Sequence, residues 1–178
     1  MKNTNVRKLA FSGVVAALYA GLTIAIAPLA YGPVQFRFSE VLCILPFFFP
    51  FSVWGLFAGC IVANIMSPLH ILDMIVGPVA SLLAALCTMW IGMKFSRERV
   101  WVKAFACFPP VIFNAIIIGA LIAYVTFGTT EPVGFLAAFG SVGFGQLVVM
   151  YVLGFPLMIY LSKSKVLEKL KSLYVGVK

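Results

Sequence analysis

Residues 43–65 read CILPFFFPFSVWGLFAGCIVANI. The placement of this stretch decides the fold. It is too apolar for a solvated loop, and Pro46 and Pro50 interrupt it too often for one continuous helix. Working outward, three other runs, about 9–30, 74–93 and 104–127, reach the roughly 20 apolar residues that a membrane-crossing helix needs. A fourth, about 133–161, is longer than a crossing requires, as in a tilted or partly interfacial helix.

Charge orients these runs. Of the 13 Lys and Arg residues, 12 fall in three clusters. These are Lys2, Arg7 and Lys8; Lys94, Arg97, Arg99 and Lys103; and Lys163, Lys165, Lys169, Lys171 and Lys178. Each cluster abuts an apolar run, which is the pattern of basic residues on the cytoplasmic side. The chain then leaves its first helix outside, near Tyr31, and must re-enter near Asp73 to end a helix inside at Lys94. Residues 43–65 therefore begin and end outside, and a re-entering pair of short helices, about 39–50 and 52–67, is the economical solution. The expectation is an all-α membrane protein with six transmembrane helices, both termini cytoplasmic, and residues 1–178 forming one integral membrane domain.

Composition agrees. The chain is 63% hydrophobic and 10% charged, where soluble domains are about half apolar and about a quarter charged. The net charge of +8 does not indicate nucleic acid, because it sits at helix ends. Cys43, Cys60, Cys87 and Cys107 lack CxxC spacing and read as small packing residues. Residues 1–27 carry a basic start, but the apolar run is longer than a signal core of about 7–15 residues, so a retained first helix is expected.

The remaining polar groups gather on one side. Arg37 and Glu40, in the stretch VQFRFSE, lie at the outer end of the second helix. His70 and Asp73 precede the fourth, and Glu131 lies in the last outer loop. Asn64 is near the outer end of the third helix. Asn114 and Gln146 fall at matching depths on consecutive helices. Polar groups at membrane depth usually face a bundle interior or a cavity, so these eight residues are candidates for binding a polar, planar ligand. Carboxylates accept from ring N–H and amino groups, and amides offer a donor beside an acceptor. Tyr31, Phe36, Phe38, Trp54 and Tyr124 are placed to stack. Plainer readings stand beside this one. Arg37 and Glu40 form an i,i+3 pair, Asp73 caps a helix, Asn114 bonds Gln146 as helix glue, and His70 is an ordinary loop residue.

The first helix carries two adjacent stripes of small residues, Ser12, Ala16 and Ala20 beside Gly13, Ala17 and Gly21. Such faces let helices approach closely, and this one looks too extended for a single internal contact. There is no Walker A loop, no HExxH and no nucleophile arrangement. No cofactor or metal site is expected.

With these features the chain resembles the S components, the substrate-capture subunits, of energy-coupling factor (ECF) vitamin transporters. The resemblance covers nearly the whole chain, including Ala16-x-x-x-Ala20. It implies that Ala16 and Ala20 dock the transmembrane coupling subunit, and that two partner ATPases use the ATP. Within that family, GPVQFRFSEVLCILPFF resembles the segment after the first helix in the QueT group of proposed queuosine-precursor transporters. That implies a 7-deazaguanine ligand such as preQ0, preQ1 or queuine, captured from outside without chemistry. The alternatives are an S component for another vitamin, an intramembrane enzyme using His70, Asp73 and Glu131, and a scaffold protein.

Overall fold

The computed structural model describes residues 2–32, 34–68, 70–128 and 132–174. These are helical, with no strand among them. Four helical stretches are long and apolar enough to cross a membrane: Thr4–Ala25, Ile71–Lys94, Val100–Thr126 and Pro132–Lys163. Two shorter apolar ones, Phe38–Phe48 and Ser52–Asn64, lie between the first and second.

The first run is α1 (Lys2–Ala25) followed by a single further turn, α2 (Ala27–Ala30), with Pro28 at its start. Proline has no N–H to continue the α1 ladder, which is why the run expected over 9–30 divides here. Residues expected as a short helix over 39–50 instead form a 3-10 helix, Phe38–Ile44, leading into α3 (Leu45–Phe48). The tighter winding gives the segment a rise of about 2.0 Å per residue, against about 1.5 Å in an α-helix. After Pro50 the chain turns into α4 (Ser52–Asn64). Then come α5 (His70–Lys94), α6 (Val100–Ala106) and α7 (Phe108–Phe127). The long last run divides into α8 (Pro132–Val148), a π-helical segment Val149–Gly154, and α9 (Phe155–Lys163). The basic tail, which reads from sequence only as charge, includes an amphipathic helix, α10 (Lys165–Tyr174). Its Leu167 is buried among Phe48, Val102 and Met158.

Helices pack in the order α1, α4, α5, α7, α8, and the segment Phe38–Phe48 closes the arrangement by touching α1, α5 and the π segment. The α1–α4 contact is made by glycine. A Cβ on Gly59 would stand 2.7 Å from the Ala16 carbonyl oxygen and 2.9 Å from its Cα. A Cβ on Gly55 would strike the Ser12 backbone. The pair is a GxxxG, a spacing that lets backbones meet. One α1 stripe is thereby used inside the molecule, with Ser12 and Ala20 buried. The small-residue face of α1, expected to be too extended for a single internal contact, is thus covered along one stripe by α4. The neighbouring stripe, Gly13, Ala17 and Gly21, is exposed, with no atom within 4 Å of a Cβ built at either glycine. Large apolar side chains such as Val14, Leu18, Trp54, Trp90, Leu136 and Tyr160 are exposed around the bundle, the surface expected where lipid is the solvent.

Antiparallel succession gives the bundle two ends. One carries the start of α1, the end of α5 and the end of α9, with their lysines and arginines. The other carries the connections after α1, α4 and α7. The protein is a multi-pass cell-membrane protein.

Candidate functional site

At the connection end five elements meet around buried polar side chains. Arg37, just before the 3-10 helix, is 2% exposed. Burying a charge is costly unless it is paired and hydrogen-bonded, and its surroundings supply both. Its Nη2 donates to Asn64 Oδ1 at 3.1 Å and lies 3.7 Å from Asp73 Oδ2. Its guanidinium stands over the Tyr31 ring, 5.3 Å from the centroid, and the Tyr31 hydroxyl donates to the Ala63 carbonyl at 2.7 Å.

Asn64 ties these parts together. Lying at the end of α4, it accepts from Arg37 and donates through Nδ2 to the Asp73 carbonyl at 2.8 Å. It fits because residue 77 is glycine, where a Cβ would clash with Asn64 Nδ2 and approach Asp73 Oδ1 to 2.9 Å. Asp73 sits in the first turn of α5, which begins at His70, so it is not the residue that caps that helix. Its carboxylate faces Arg37.

Glu40 belongs to a second, adjoining layer and is fully buried. Tyr19 donates its hydroxyl to Glu40 Oε1. Cys43 Sγ donates to Oε2 at 3.1 Å, and the Ser81 hydroxyl stands 3.4 Å from both Oε1 and Cys60 Sγ. Beside them the Thr23 and Ser39 hydroxyls are 2.6 Å apart, and Thr23 also donates to the Tyr19 carbonyl at 2.9 Å. Arg37 and Glu40 form no ion pair within 4.0 Å, so the i,i+3 reading does not hold. Arg37 pairs across the bundle with Asp73, and Glu40 is held by α1 and α5.

Two atoms in this cluster lack partners. Arg37 Nε and Asp73 Oδ1 are buried with no hydrogen bond among the described residues. Unmade bonds of buried polar atoms cost about 1–3 kcal/mol each, and this cluster retains one unpartnered donor and one unpartnered acceptor.

The other predicted residues fall out differently. Asn114 is buried on α7 and donates to the Pro110 carbonyl of its own helix at 3.0 Å. Gln146 is buried on α8 with Oε1 unpartnered. Phe36, just before Arg37 in the chain, packs edge-on against Phe144, centroids 6.4 Å apart, which brings the Arg37 segment alongside the α8 turn that carries Gln146. Asn114 and Gln146 do not bond each other. His70 begins α5, and its side chain is outside what is described. Glu131 lies outside the described residues. Of the aromatics placed to stack, Tyr31 reaches the cluster, whereas Trp54 and Tyr124 are 67% and 55% exposed. Arg37 and Asp73 are interior, 2% and 1% exposed. Sequence reasoning missed Tyr19, Thr23, Cys43, Cys60 and Ser81. The i,i+4 spacing of Tyr19 and Thr23 is the signal for the first two.

Similarity to known proteins adds to this geometry. The family described as QueT transporter matches residues 9–163. The chain belongs to the QueT transporter family. Membership places all the elements of the cluster within the matched segment. One relative, the "Queuosine precursor transporter QueT" of Lactococcus lactis subsp. cremoris (strain MG1363), is 28% identical over 158 residues, covering 85% of this chain and 90% of that protein. No solved structure matches.

Proposed function

We propose that the protein is the substrate-capture subunit of an ECF importer for a queuosine precursor of the 7-deazaguanine type. The observation that carries this reading is the Arg37–Asp73 pair, with one donor and one acceptor unpartnered inside a cluster that α1, α4 and α5 share. A guanine-type edge presents a carbonyl acceptor beside N–H and amino donors. Arg37 Nε suits the carbonyl, and Asp73 Oδ1 suits the N–H donors. The Tyr31 ring and Gln146 Oε1 supply stacking and a further acceptor, Asn64 holds the Arg37 guanidinium and the Asp73 backbone, and Glu40 acts from the layer below. Asn114, bonded to a carbonyl of its own helix, is a second-rank candidate, and His70 and Glu131 stay candidates on the sequence argument alone. The family's transport activity and the named Lactococcus relative support the substrate class.

In this reading Phe38–Phe48 and Ser52–Asn64 add a re-entering pair to the four long helices. That makes six crossings, with both termini inside by the placement of basic residues. The ligand enters from outside, and the connection after α1 closes over it. The loaded subunit docks through α1 on the coupling subunit, and two ATPases drive its reorientation. With Ser12 and Ala16 packed on α4, the docking face is the exposed stripe Gly13, Ala17 and Gly21, with Ala16 and Ala20 at its margin.

The test is equilibrium binding of preQ1 and queuine to the purified protein, alongside thiamine, riboflavin and biotin. Submicromolar binding of a deazaguanine with no turnover supports the proposal. Binding of a different vitamin alone would replace the substrate, and binding of none would remove the capture role.

A further inference from the structure

The opposite end of the bundle contains a second polar feature that substrate capture does not use. A cavity of about 370 Å³ lies between the α5–α6 connection, α6 and the α9–α10 junction. Arg97, Lys103 and Lys163 line it, over a floor that includes Phe48 and Leu167. From this we propose that the basic end carries a binding site for a phosphate-bearing anion.

Orientation in the membrane requires only basic residues beyond the apolar core, solvated and loosely placed. Lys103 is not placed that way. It is 4% exposed, within α6. An ammonium carries three donors, and among the described residues its one hydrogen bond is a long one, 3.5 Å to the Glu98 carbonyl. Arg97 uses Nε on the Gly92 carbonyl at 2.6 Å, which leaves the N–H groups of its two terminal nitrogens for another partner. Among the described residues Glu98 is the one acid on the wall, and it forms no ion pair within 4.0 Å with any of the three cations. The cavity therefore concentrates positive charge with too little negative charge to meet it. A tetrahedral phosphate matches this donor set, with the planar Arg97 fork engaging two oxygens and Lys103 and Lys163 acting as point charges. Basic recesses between helices on the cytoplasmic side take anionic lipid headgroups. A headgroup and free phosphate share this chemistry.

The experiment measures thermal unfolding of the purified full-length protein in detergent at constant ionic strength. Phosphatidylglycerol, phosphatidylcholine or inorganic phosphate is titrated in, because a ligand that binds only the folded state raises Tm. Phosphatidylglycerol or phosphate is expected to raise Tm and phosphatidylcholine is not. A response to phosphatidylglycerol alone assigns a lipid headgroup, and saturation by phosphate assigns a soluble anion. Arg97→Gln and Lys103→Met should each weaken half-saturation by about fivefold or more. The tail control Lys165→Gln/Lys169→Gln should leave it unchanged. Arg97 is only half-buried in a connection, so its variant reports even if Lys103→Met does not fold. Equal responses to both lipids, no response to any anion, or an equal loss in the tail control would overturn the proposal.

Discussion

Replacing Asp73 with asparagine keeps the shape of the side chain and removes its charge. The Asp73 carbonyl that receives Asn64 Nδ2 is backbone and remains, so the change falls on Arg37. At 3.7 Å and an effective dielectric of about 20, the lost attraction is about 4.5 kcal/mol. That falls within the roughly 3–5 kcal/mol found when a buried pair loses one partner. Asn64 Oδ1 still holds Nη2, so the expected cost to stability is about 3 kcal/mol, read as a lowered Tm. Ligand binding should suffer independently. A hydrogen bond to a charged acceptor contributes about 1.5–3 kcal/mol, which corresponds to a Kd for a deazaguanine weaker by roughly 10- to 150-fold. Calorimetric titration of wild type and Asp73→Asn at a temperature where both are folded separates the two effects. A lowered Tm with Kd unchanged within about twofold would show that the pair is only structural and that the ligand lies elsewhere.

Tyr19→Phe removes one donor from buried Glu40, and thermal unfolding should report a loss of about 1–3 kcal/mol; an unchanged Tm would mean that Glu40 does not depend on α1. Gly59→Ala places a Cβ against the Ala16 backbone and should cost about 1–3 kcal/mol by overpacking, whereas Gly13→Ala, which meets nothing within 4 Å, should leave Tm unchanged or slightly raised. Equal effects of the two would contradict the division of α1 into a packed and an open stripe. Ala17→Trp should abolish uptake in cells carrying the full transporter while the purified subunit still binds ligand; normal uptake would remove the open stripe from docking.

The long helices were legible because a bilayer demands about 20 apolar residues at a time, but the break at Cys107, which divides the run expected over 104–127, was not. The meeting of Arg37, Asn64 and Asp73 was legible in part. The topology sent all three to one end, but not which charge would face which. Glu40 is three residues from Arg37 and was the natural partner on a regular helix. The 3-10 winding of Phe38–Ile44 changes the angle between successive side chains, and Arg37 precedes it in non-helical backbone. Tyr19, Cys43, Cys60 and Ser81 were hidden because tyrosine, cysteine and serine are equally at home in an apolar core. Their role appears only once Glu40 needs donors. The two α1 stripes are adjacent in sequence and cannot be ranked without the partner helix. The deciding signal, Gly55-x-x-x-Gly59, lies on α4 within the stretch that also turns the fold.

The most direct measurement is a structure of the protein with a bound 7-deazaguanine. The expected result is the ring in the Arg37–Asp73 cluster, its carbonyl within hydrogen-bond distance of Arg37 Nε and an N–H donor on Asp73 Oδ1. A ligand seated away from this pair, with Arg37 and Asp73 keeping the arrangement described above, would contradict it.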